Sequence, residues 1–171
     1  ANPKNTSKLR LDQEVRDISE GLRRSKKRNE FNLEQRWATR RSDFRRAMLE
    51  LKPYIVHFSG HGAGEEGIVF EDEIGNSEFV DTEGLSSFFE LFSDSVECVV
   101  LNACYSEVQA EAISQHIPYV IGMSDEINDS DAIEFAVSFY DALGAGENFD
   151  FAYNLACSSL QINNKKLISD I

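Results

Sequence analysis

Two short apolar runs constrain the fold of this chain more than any other feature. The first, Tyr54 to Gly62 (YIVHFSGHG), breaks into Gly-His-Gly, and the second, Val99 to Ser106 (VVLNACYS), breaks into a turn of its own. Runs of β-favouring residues bounded by turn signals read as buried strands. Each delivers one reactive side chain at its carboxyl end: His61 from the first and Cys104 from the second. In open sheets of parallel strands, ligands collect in the crevice beyond the carboxyl ends, so two such strands lying side by side bring an imidazole and a thiol together.

A thiol reacts through its thiolate, which an adjacent imidazole or a helix amino terminus favours near neutral pH. His61 supplies the first aid. The second is expected from a helix over Glu107 to about His116, because Ser106 followed by Gln109 has the spacing of a capping box.

The other elements alternate in type. Leu11, Val15, Ile18 and Leu22 form one apolar stripe on a helix within Ser7 to Arg28, with Lys26, Lys27 and Arg28 at its carboxyl end. Phe31, Leu33, Gln35 and Trp37 alternate as a strand would, and a helix with Phe44, Met48 and Leu51 ends before Pro53. A short strand is expected at Gly67 to Phe70, a turn at Gly75-Asn76, and a helix capped by Asp81 running through Phe92. Ile117 to Gly122 reads as another buried strand and Ser124 to Asp131 as a polar acidic loop. Helices at Asp131 to Leu143 and Asn148 to Leu160 follow, with Gly144 and Gly146 as the stop between them. Strands alternating with helices predict a three-layer α/β domain with a mainly parallel sheet. A chain of 171 residues, 42% of them hydrophobic, fits one domain.

Charge is divided along the chain. Residues 1 to 52 hold 15 of the 17 Lys and Arg against 8 Asp and Glu, whereas the remainder holds 2 against 22. No Lys or Arg occurs between Pro53 and Asn164, so the half carrying His61 and Cys104 projects a negative field that suits a cationic substrate. The same absence opposes a phosphate site, as does the lack of a Gly-rich Gly-Lys-Ser/Thr loop. Arg16, Arg23 and Arg24 make one helix face basic, but no aromatic interleaving accompanies them, and nucleic acid is not an expected partner. No run approaches the roughly 18 apolar residues of a membrane span, and the opening ANPKNTSKLR lacks the apolar block of a secretory signal. Three cysteines without framework spacing argue for a reducing compartment, with the cytoplasm as the default. Neither zinc-ligand spacing nor a regular acidic calcium loop is present, so no metal or cofactor is expected.

The remaining reactive-looking residues have simpler explanations. His57 fits a hydrogen-bonded core histidine, Cys98 a small buried hydrophobe and Cys157 a helix packing residue. His116, at a helix carboxyl end, complements the dipole.

HFSGHG followed by VVLNACYS, then VIGMSDEINDSDAIEFAVSFYDALGAG and a final helix with FAYNLA, resembles the CHAT domain, a relative of caspases and separase. The resemblance covers most of the chain, the LRLDQEVRDI segment included. It implies a caspase-like α/β/α sandwich over residues 1–171, an initial strand just ahead of Ala1, and a setting within a longer protein joined to repeat or sensor domains. It implies a Cys-His endopeptidase with Cys104 as nucleophile, His61 as base, and the backbone N–H groups of Gly62 and Cys104 as oxyanion donors. The partners implied are a protein or peptide substrate and an activating partner or fused domain. In separase-like relatives an acidic residue in the loop after the post-cysteine strand receives a basic substrate side chain. That loop here offers Glu126, Asp129 and Asp131, with Asp129 or Asp131 preferred, so cleavage after Arg or Lys is expected. One of these carboxylates can instead simply cap the helix near Asp131, in competition with Asn128 and Ser130. Asn102-Ala103-Cys104-Tyr105-Ser106 departs from the caspase signature, so a caspase preference for acidic substrates is not carried over. The competing expectation is a catalytically silent signalling or scaffold module whose acidic face binds a basic protein partner.

Overall fold

The computed structural model describes residues 1–162. In chain order the elements are α1 (Leu11–Arg24), α2 (Arg41–Leu51), β1 (Ile55–Ser59), a 3-10 turn (Gly64–Glu66), β2 (Ile68–Glu71), β3 (Ser77–Val80), α3 (Thr82–Glu90), β4 (Cys98–Asn102), α4 (Glu107–Ile113), β5 (Tyr119–Ile121), α5 (Asp129–Ala145) and α6 (Phe149–Ile162). They fall into two compact units: Ala1–Leu9 with Arg36–Glu126, and Arg10–Gln35 with the described residues from Ile127 onward.

The first unit is built on a parallel sheet in the order β1-β4-β5. Ile55 pairs with Cys98 and Ser59 with Asn102, while Cys98 to Val100 pair with Tyr119 to Ile121. Side chains alternate across this sheet. Val56 and Phe58 of β1, Val99 and Leu101 of β4, and Val120 of β5 share one cluster with Met48, Phe70, Leu85, Phe89 and Ile113. Phe44 stands at the centre of its aromatic part, with ring centroids 5.0 Å from Phe88 and 5.6 Å from Phe70. Phe70 and Phe89, the fully buried phenyls of this cluster, each contribute about 1.5–3 kcal/mol of transfer free energy. β4 is buried at every position, so Cys98 and Val100 on its other face are covered as well. That is the condition of a central strand in a parallel sheet. The fold class is therefore α/β, a parallel sheet flanked by helices, consistent with a caspase-like α/β/α sandwich.

β2 and β3 form an antiparallel hairpin beside this sheet. A short strand and a turn were expected here; β3 is an addition, and the Asp72 carboxylate holds the turn by accepting from the N–H groups of Ile74 and Asn76. Asp81 caps α3 as expected, accepting from the Gly84 N–H at 2.7 Å.

No strand forms at Phe31 to Trp37, contrary to the alternating pattern. Leu33 and Trp37 are 40% and 51% exposed. With Leu33 and Trp37 exposed, the alternation has no buried face to hold a strand.

In the second unit Ile18 and Leu22 of α1, Phe135 and Phe139 of α5, and Ala152, Ala156 and Leu160 of α6 are buried. The first helix is shorter than its expected Ser7 to Arg28 span, since the chain turns away after Arg24. α5 continues through Gly144, whose bare Cα packs against Ser25, and stops only at Gly146, where φ is +102°. The strand expected ahead of Ala1 and residues 163–171 fall outside the described residues.

Candidate active site

The parallel register brings His61 and Cys104 to equivalent places. Ser59 and Asn102 are the last paired residues of β1 and β4, and each reactive side chain stands two residues further on. The Gly60 N–H still donates to the Asn102 carbonyl, at 3.3 Å, so the two chains leave the sheet together. Beyond that point the His61 loop and the Cys104 turn touch: a β-carbon on Gly62 would fall inside the van der Waals shell of the Cys104 carbonyl oxygen.

The His61 loop folds back on the hairpin. The Val69 N–H donates to the His61 carbonyl and the Ala63 N–H to the Gly67 carbonyl, both at 3.0 Å, flanking an antiparallel bridge between Gly62 and Ile68. In such a non-hydrogen-bonded pair the amide groups point outward, so the Gly62 N–H is aimed away from the hairpin. His61 Nε2 lies 2.9 Å from the Ser7 carbonyl oxygen. A carbonyl only accepts, so Nε2 carries the proton, and in the neutral ring Nδ1 holds the lone pair. Burial lowers the pKa of His61, and the bond to Ser7 opposes that shift. The backbone of Ser7 thus orients the imidazole, the service a third group performs for a general base. No side-chain pattern announces a carbonyl, and sequence reasoning missed it.

Cys104 opens a tight turn. Tyr105, directly after it, has a φ of +53°, a left-handed conformation that costs a non-glycine residue roughly 1–2 kcal/mol. Strain of this sort persists where the surroundings over-determine it. Here they do: the Tyr105 N–H donates to the Asp125 carbonyl and the Glu107 N–H to the Met123 carbonyl. Ser106 and Gln109 do not form the expected capping box. The Ser106 hydroxyl instead donates to the Leu101 carbonyl at 2.9 Å and accepts from the Met123 N–H at 3.0 Å, tying the ends of β4 and β5 together. Gln109 turns toward Gly64 and Thr82. Both side chains serve neighbouring segments rather than the helix end between them.

The three carboxylates expected to meet a substrate have different surroundings. Glu126 is exposed. Asp129, in the first turn of α5, accepts from Arg10 Nε at 2.6 Å and from the Arg10 backbone N–H at 3.1 Å. Asp131 is 3% exposed and accepts from Asn128 Nδ2 at 2.6 Å. Asn128 caps α5 by accepting from the Asp131 N–H, so neither Asp129 nor Asp131 is the cap.

His57 sits within β1, opposite Val100. Cys98 is fully buried in β4, and burial pushes its thiol up to about 12. Cys157 is half-buried on α6, and His116 follows the end of α4. Among the described residues no helix is long and apolar enough to cross a membrane.

Fold and site together define an α/β domain carrying an imidazole and a thiol at the carboxyl ends of adjacent parallel strands. The CHAT domain family model matches residues 5–167, and the chain belongs to that family. It is 23% identical over 170 residues to a probable protease of Gillisia limnaea, covering 97% of this chain and 30% of that protein. It is 28% identical over 134 residues to a Roc-COR-CHAT protease from an unknown prokaryotic organism, covering 75% of this chain and 12% of that protein. The chain thus spans under a third of the length of either relative.

Proposed function

We propose that this chain is a cysteine endopeptidase with Cys104 as nucleophile and His61 as general base and acid. The observation that carries the reading is the register that sets both side chains two residues past the Ser59–Asn102 pair. The protease names of its relatives support the reaction class. His61, through Nδ1, takes the thiol proton, and the thiolate attacks the substrate carbonyl carbon. The carbonyl electron pair moves to oxygen, where the N–H groups of Gly62 and Cys104 receive it. The imidazolium then gives its proton to the leaving amine as the C–N bond breaks, and a thioester remains. Water, losing a proton to the neutral imidazole, hydrolyses the thioester and restores the thiol.

The preferred substrate has Arg or Lys before the scissile bond. Among the three candidate carboxylates Asp129 fits best: it already accepts a guanidinium, that of Arg10, whereas Asp131 is committed to Asn128. A substrate side chain binds by taking the place of Arg10. The cation-free stretch from Pro53 to Asn164 favours the same charge. Because the relatives are much longer, a flanking domain or partner sets the substrate loops in the whole protein.

A panel of fluorogenic peptides varied at the residue before the scissile bond tests the reading. Turnover after Arg or Lys, lost with Cys104→Ala, is the expected result. Turnover only after Asp overturns the specificity. Absence of turnover together with an unreactive Cys104 overturns the peptidase and favours the silent module with a basic protein partner.

A further inference from the structure

We infer that Gln109 is a positioning residue, fixing the His61 loop against the Cys104 turn; the inference rests on the peptidase reading above. Gln109 is fully buried, at 0% exposure, in the first turn of α4, the helix that starts directly after the Cys104 turn. Its Nε2 donates to the Gly64 carbonyl at 2.8 Å and to the Thr82 hydroxyl at 2.8 Å. The orientation of the amide is set by chemistry: the Gly64 carbonyl can only accept, so the NH2 group and not the oxygen must face it. Its Oε1 has no hydrogen-bond partner among the described residues. Leaving a buried acceptor unmade is costly, and a side chain that bears this cost is held in place by what its other end does.

What that end does is connect three segments. Gly64 opens the 3-10 turn of the His61 loop, Thr82 is the first residue of α3, and Gln109 belongs to the helix of the Cys104 turn. The bond to Gly64 lies two residues beyond Gly62, whose backbone packs on the Cys104 carbonyl. Without that bond the loop keeps its ladder to the hairpin but loses a direct tie to α4. Glutamate would set a carboxylate oxygen against the Gly64 carbonyl, and methionine would fill the volume with no donor.

The test compares wild type, Gln109→Met and His61→Ala, with Ser86→Ala as a control that removes a similar α3–α4 bond, to the Ala112 carbonyl, away from the site. Two quantities are read: the rate of Cys104 alkylation by iodoacetamide, by peptide mapping, and kcat and KM for an Arg-directed fluorogenic peptide. Gln109→Met is expected to slow alkylation at pH 7 about tenfold, as His61→Ala does, and to match wild type near pH 10, where an accessible thiol ionises without help. It lowers kcat by about 10²-fold, the scale of a small misplacement, with KM little changed. Ser86→Ala lowers the melting temperature but moves neither quantity. Should Gln109→Met fail to fold by circular dichroism, Gln109→Asn, one methylene too short to keep both bonds, replaces it with the same expectations. A folded Gln109 variant with wild-type alkylation at pH 7 and wild-type kcat overturns the positioning role alone. Alkylation of wild type that does not respond to His61→Ala overturns the peptidase reading, and the positioning role with it.

Discussion

The backbone of Gly62 packs directly on the carbonyl oxygen of Cys104, so close that a β-carbon has no room between them. The loops carrying the imidazole and the thiol therefore meet through bare main chain, and their spacing is set by the absence of a side chain. Gly62→Ala should force the two loops apart at an overpacking cost of about 1–3 kcal/mol. Thermal unfolding should show the lower midpoint, and peptide turnover should fall far more than the stability loss explains.

The pH response of the site follows from His61. Burial lowers its pKa, so the folded chain binds this proton less readily than the unfolded chain, whose value is about 6.5. The associated stability is complete above the unfolded value and is lost as the pH falls through the folded one. Urea titrations at several pH values should show stability dropping below about pH 6.5, with part of that slope removed in His61→Gln. By the same shift the acid limb of kcat/KM should lie below about pH 6.5. An acid limb centred above that value would contradict a His61 whose pKa is governed by burial rather than by its bond to the Ser7 carbonyl.

Thiol reactivity separates the cysteines. Cys98 is enclosed in β4 with its thiol pushed up to about 12, whereas Cys104 is partly accessible beyond the sheet edge. Iodoacetamide at pH 8 should modify Cys104 in the folded chain and reach Cys98 only after denaturation. Peptide mapping with and without guanidinium reads the difference.

The start of α5 carries both a structural and a functional prediction. Asn128→Ala removes the cap and should cost about 1 kcal/mol. Arg10→Ala breaks an ion pair whose arginine side chain is 51% exposed, so stability should change by less than about 1 kcal/mol. It uncovers Asp129, however, and KM for an Arg-containing peptide should fall while kcat holds. Denaturant midpoints and steady-state kinetics on the two variants distinguish these effects.

The strands that matter most were readable because burial wrote itself into their composition. CVVLN is apolar enough to be central and is buried throughout, whereas IVHFS, also expected to be buried, forms the end strand of the described sheet and is half-buried along its length; the residues following both bear the chemistry. Helices α3 to α6 lie close to their expected spans, and Asp81 caps α3 as expected, accepting from the Gly84 N–H. Where reading failed, the deciding partner was distant in sequence or lay in the backbone. Phe31 to Trp37 alternates, yet Leu33 and Trp37 are exposed and the segment buries no face. Ser106 and Gln109 have capping-box spacing, yet Leu101, Met123, Gly64 and Thr82 compete for their side chains and win. The Ser7 carbonyl on His61 carries no side-chain signature at all.

The most direct test of the account is labelling by an Arg-directed acyloxymethylketone peptide, read by intact mass, on wild type beside Cys104→Ala and His61→Ala. One adduct is expected on wild type, absent in Cys104→Ala and formed more slowly in His61→Ala. An adduct that survives Cys104→Ala, or a wild-type chain left unlabelled by both this probe and a general thiol reagent at Cys104, would contradict it.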